Sequence, residues 1–101
     1  MQNKFAILEE NIFSAIEHMP TEFDTHQLIL ELVRENQRVY IEALYESDSE
    51  TPFQAVHSKI GKALKRYSLE PNARIRETEA NCKSPNIFGE YSSCSKWANL
   101  G

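Results

Sequence analysis

The 101-residue chain is 41% hydrophobic and 26% charged, the balance of an ordinary soluble domain and far from the apolar-poor, charge-rich composition of disorder. No run approaches the roughly 18 apolar residues of a membrane span, and the start MQNKFAILEENIF carries acidic residues inside its first apolar stretch, so a single cytoplasmic domain over residues 1–101, with no membrane partner, is expected. The net charge of -4 hides two unlike halves: residues 1–50 hold 3 Lys/Arg against 11 Asp/Glu, a net of -8, and residues 51–101 hold 8 against 4, a net of +4.

In the first segment Phe5, Leu8, Ile12, Ala15, Ile16 and Met19 recur at steps of three and four, the spacing of one helical face. This predicts a scaffold helix over residues 4–19, ended by Pro20. In the second, Asp24 can cap free amides, Gln27 can reach back to it, and Phe23 and Leu28 stand where a hydrophobic staple would form. A helix over residues 25–47 is expected, with a kink near Asn36 because Glu35-Asn36-Gln37-Arg38 is wholly polar.

Residues 47–51 read as a polar loop. Thr51, Pro52 and Gln54 then match a cap, a first-turn proline and a capping-box partner, so a third helix should run over residues 52–68. Pro71-Asn72 signals a turn, and the partial alternation of Arg74, Ile75, Arg76 and Thr78 predicts a short strand over residues 74–79. Frequent Ser, Asn, Pro and Gly make residues 81–93 a long loop, pinned by Ile87, Phe88 and Tyr91. A second strand over residues 94–100, anchored by Trp97, would pair with the first. The expected fold is therefore mainly α with a small C-terminal β-hairpin, an α+β class.

The third helix carries the most information. With 100° per residue, Phe53, Val56, Ile60, Ala63, Leu64 and Tyr67 share one face, and Gln54, Ser58, Lys59, Lys62, Lys65 and Arg66 share the opposite one. No acidic residue lies between Thr51 and Ser68, so nothing within the helix neutralises its four cations, and Arg74 and Arg76 follow in the predicted strand. A local basic face attracts phosphate whatever the total charge, although many such faces are merely solvated. Gly61 costs about 1 kcal/mol against Ala inside a helix. Either close approach of a partner or packing against another helix would explain it.

Two helices, a capped basic helix and a basic two-stranded hairpin together resemble the winged helix-turn-helix family, over roughly Phe23 to Leu100. The resemblance implies a three-helix winged domain whose third helix enters the major groove of double-stranded DNA while the hairpin lies along the backbone or minor groove. Carried onto this chain, Gln54, His57, Ser58 and Lys62 would face base edges, and Lys59, Lys65, Arg66, Arg74 and Arg76 would meet phosphates. A long or interrupted second helix and a long loop between the wing strands depart from that pattern. They fit an alternative, a non-catalytic protein-interaction adaptor or homodimer whose acidic and basic halves dock separate partners.

Catalysis is not expected. The chain has no GxxxxGK[ST], GxGxxG or HExxH, and His18, His26 and His57 are scattered over three predicted helices. Cys82 and Cys94 lie 12 apart without a CxxC unit and are expected to be reduced thiols. A zinc site from both with His57 is the less favoured reading, and neither cofactor nor metal is expected. Trp97, Tyr91 and Phe88 could stack on bases, but Trp97 fits better as cover for the core edge.

Overall fold

A computed structural model describes residues 3–101. Asn3 opens α1 (Lys4–Glu10), its Oδ1 accepting from the amide of Ala6 at 2.7 Å. The single helix expected over residues 4–19 is instead two, because Asn11 folds its side-chain Nδ2 back onto the carbonyl of Ile7 at 2.9 Å and leaves the helical ladder at φ -93°, ψ 0°. An asparagine that hydrogen-bonds its own backbone competes with helix continuation. The chain resumes as α2 (Ile12–Glu17).

The same device divides the second helical region. Asn36 donates to the carbonyl of Leu32 at 2.9 Å, separating α3 (Thr25–Glu35) from α4 (Gln37–Glu46) at the expected position. The predicted cap of α3 is present in both directions: Asp24 Oδ1 accepts from the Gln27 amide at 2.8 Å, and Gln27 Oε1 accepts from the Asp24 amide at 2.9 Å. α5 (Pro52–Ser68) has Pro52 in its first turn, as expected, but the Thr51/Gln54 box does not form. The Thr51 amide donates to Ser49 Oγ at 3.0 Å instead, which leaves the Gln54 side chain free at the surface.

A short strand that periodicity did not reveal, β1 (Glu22–Asp24), joins β2 (Ile75–Pro85) and β3 (Tyr91–Asn99) in an antiparallel sheet of order β1-β3-β2. Three strands therefore replace the expected two. Phe23 stands opposite Trp97, and Glu77 opposite Trp97 on the other side, so β3 is the central strand and its Trp97 is 1% exposed. The long loop expected over residues 81–93 is mostly strand. Asn86 closes a tight turn: its Oδ1 accepts from the amides of Phe88 (2.9 Å) and Glu90 (3.1 Å), its own amide donates to the Glu90 carbonyl at 2.8 Å, and Gly89 takes φ +83°, a conformation that favours glycine.

Leu8, Ile12, Ile16, Leu28, Leu32, Ile60 and Leu64 bury the inner faces of the helices, and Ile75 and Trp97 extend that core beneath the sheet. The Cα radius of gyration, 12.9 Å, matches the value of about 13 Å for a packed 100-residue domain. No described helix is long and apolar enough to cross a membrane.

Candidate functional site

The hairpin lies along one flank of α5. At its base Glu77 pairs with Lys65 near the C-terminal end of the helix. At its tip Phe88 meets Phe53 edge to face, with ring centroids 4.8 Å apart, and stacks on His57 at 6.3 Å. Lys65 and Phe53 are 12 residues apart on a helix that rises 1.5 Å per residue, about 18 Å. Between these two ties runs an open groove of about 1100 Å³. Gln54, Ser58, Gly61, Lys62 and Lys65 form its helical wall, Ser92, Ser93, Cys94 and Ser95 its strand wall, and Thr25, Ile29 and Trp97 its floor.

The floor is held by hydrogen bonds. Trp97 Nε1 donates to Thr25 Oγ1 at 2.9 Å, and Thr25 Oγ1 donates on to the Ser95 carbonyl at 3.3 Å, so the first turn of α3 is tied to the central strand. His26 adds a second tie, with Nε2 at 3.0 Å from Ser92 Oγ and 3.3 Å from the Ser92 carbonyl. Gly61 is not a helix-packing glycine. A Cβ built there would meet only Thr25 Cγ2, at 4.0 Å, an ordinary contact distance, so the missing side chain leaves room in the groove.

His57 is half-buried, its Nε2 2.7 Å from the Tyr40 hydroxyl. Burial pushes the Tyr40 hydroxyl up to about 12, which keeps its proton in place at neutral pH. Burial, reinforced by the nearby His26, pushes the His57 imidazole below its usual range. A neutral imidazole has one donor and one acceptor nitrogen, so the tautomer of His57 sets which way this hydrogen bond runs. This candidate base contact is thereby committed to holding the hairpin tip and α4 against α5.

The nine residues singled out in the sequence separate into three groups. Gln54, His57, Ser58, Lys62 and Lys65 line the groove. Lys59 and Arg66 lie toward the amino-terminal helices, with Lys59 Nζ 5.4 Å from the Phe5 ring centroid and Arg66 3.3 Å from a Glu9 carboxylate oxygen. Arg74 pairs with Glu17 at 3.4 Å and lies over the Phe13 ring, while Arg76 is exposed on β2. No carboxylate within the helix neutralises these cations, as expected, but Glu77, Glu9 and Glu17 come from other elements to Lys65, Arg66 and Arg74. Lys65, first, and Ser95 hold the Glu77 carboxyl below its usual range. Lys62 and Arg76 form no ion pair among the described residues.

Sequence reasoning missed the floor and the strand wall. Thr25, Trp97 and Ser92–Ser95 are joined only by tertiary contact, and no local pattern announces it. Among the described residues, the group of metal-ligating side chains that comes together is His18, Glu31 and Glu35, away from the groove and without either cysteine. Compared with family models, curated proteins and solved structures, the chain gives no match.

Proposed function

We propose that this chain is a winged-helix-like domain that binds double-stranded DNA through the exposed side of α5, with the β2–β3 hairpin as its wing. The observation that carries the reading is the juxtaposition of a helix, an exposed Gln54–Ser58–Lys62 line along it and a hairpin running beside it, the arrangement of docking helix and wing that the family resemblance implies. The amide of Gln54 and the hydroxyl of Ser58 are the kinds of group that bond to base edges in a major groove. Lys59 and Lys62, three apart and in no ion pair among the described residues, would take the first phosphates, Lys62 serving the backbone in place of the base edge that the resemblance gives it. The pairs made by Lys65, Arg66 and Arg74 are exposed on the cation side, and such pairs contribute about 0–1 kcal/mol. DNA phosphates can replace their carboxylates at little cost.

Titration of a labelled random duplex over a range of salt concentrations tests this reading. Affinity should fall with a log-log slope of about -0.9 per phosphate neutralised, and Lys59→Ala with Lys62→Ala should flatten the slope by about 2 while the circular dichroism spectrum stays the same. A chain that binds no duplex at low salt sinks the proposal. Docking of a protein partner would then lead, favoured by the exposure of Ile41 (63%) and Tyr45 (88%) one turn apart on α4.

A further inference from the structure

Cys82 and Cys94 stand directly opposite one another in the β2–β3 ladder. Opposed residues of an antiparallel pair have Cα atoms about 4.5 or 5.5 Å apart, depending on the type of pair, and both separations fall within the range of roughly 4.4–6.8 Å that a disulfide spans. Opposed side chains also leave the sheet on the same face. Ser84 and Ser92, the next opposed pair on that face, adjoin the site on the turn side, and Ser84 Oγ lies 3.6 Å from Cys94 Sγ. Both thiols are half-buried rather than sealed in the core, so a small reagent can reach them. The register slips between Glu79 and Cys82, and that irregular stretch can absorb the small backbone adjustment which bond closure requires.

We propose that Cys82 and Cys94 form a reversible redox pair, closing to an intramolecular disulfide by exchange with a low-molecular-weight disulfide. One cysteine thiolate attacks a sulfur of the reagent, whose S–S bond breaks and whose other half leaves as a thiol. The second thiolate attacks the protein sulfur of this mixed disulfide, forms the Cys82–Cys94 bond and expels the remaining half. The chain loses two electrons and two protons, and the reagent becomes two thiols. Desolvation and the adjacent Glu79 hold the Cys82 thiol above its usual range, so exchange is slow at neutral pH and quickens as pH rises. The closed ring runs from residue 82 to residue 94 and contains the whole hairpin tip, so oxidation fixes the strand wall of the groove.

The test uses the full reduced chain, glutathione disulfide in excess under native conditions, a maleimide quench and intact mass. The expected product is about 2 Da lighter than the reduced chain and takes up no maleimide, while Cys82→Ser and Cys94→Ser each gain one glutathione, about 305 Da, at the remaining thiol. Amide exchange over residues 83–93 should slow in the oxidised chain. A wild-type chain that ends with stable glutathione adducts, with two maleimide-reactive thiols or as a disulfide-linked dimer overturns the proposal.

Discussion

Replacing Gly61 with alanine should make this protein more stable. Glycine in the middle of a helix is unfavourable by about 0.8–1.0 kcal/mol relative to alanine, chiefly through backbone entropy. Gly61 lies ten residues into a 17-residue helix, far from either frayed end, so the whole difference applies. Opposing it would be steric overlap, and a Cβ at this position meets nothing nearer than Thr25 Cγ2 at 4.0 Å. That contact is weakly attractive, so the gain of about 1 kcal/mol should survive. For a domain of this size it corresponds to a rise in Tm of roughly 4–8 °C. Urea unfolding followed by helical circular dichroism and by emission of the lone Trp97 should show coincident transitions, both moved to higher denaturant with an unchanged slope. An unchanged or lower midpoint would mean that the hairpin sits on Gly61 in solution and that the groove between α5 and β3 is closed.

Thr25→Val leaves the buried Trp97 indole N–H, 2.9 Å from the lost hydroxyl, without a partner; the unfolding midpoint should fall by the equivalent of about 1–3 kcal/mol, and a loss under about 0.5 kcal/mol would show that water replaces the hydroxyl. Asp24→Ala removes the side-chain acceptor of the Gln27 amide and keeps the residue-24 amide that donates to Gln27 Oε1, so calorimetry should find about 0.5–2 kcal/mol less stability. His57 is held below its unfolded value, so it is neutral in the folded chain at pH values where the unfolded chain binds a proton. Its contribution is therefore complete above the unfolded value of about 6.5 and is lost as pH falls toward the folded value. Urea midpoints measured from pH 8 to pH 5 should fall more steeply for the wild type than for His57→Gln, and parallel curves would remove His57 from the account.

What was legible in the sequence is what depends on neighbours in the chain. Asp24 and Gln27 cap α3 from within one turn, and the inner face of α5 repeats over 17 residues, so both helices are found where their patterns start. The two asparagine breaks show the limit. Asn36 lies in a polar run that advertises an interruption, whereas Asn11 sits between periodic apolar residues, and only its bond to the Ile7 carbonyl ends the helix. β1 has three residues and is a strand solely because Phe23 meets Trp97 from the far end of the chain. Residues 78–81 of β2 are exposed on both faces, so the alternation that predicts a strand over residues 74–79 goes no further, and the Ser, Asn, Pro and Gly of residues 81–93 give the impression of a loop.

The candidate site divides along the same line. That α5 carries its cations on one face follows from periodicity, but whether those cations are free does not. Glu17 reaches Arg74 across 57 positions, and Glu9, on α1, reaches both Arg66 and the Tyr67 hydroxyl. The acidic first half of the chain thus folds against the basic second half and cancels part of the asymmetry that first suggested a phosphate partner. Any ligand that competes for Arg66 or Arg74 must displace a carboxylate already in place, whereas one that approaches Lys62 meets an ammonium whose charge no described carboxylate pairs. Lys62 is also next to Gly61, where the helix leaves the groove open. The residues best placed to meet an anionic partner are therefore those that folding leaves unpaired, and they form a smaller set than the nine that share a basic segment of sequence.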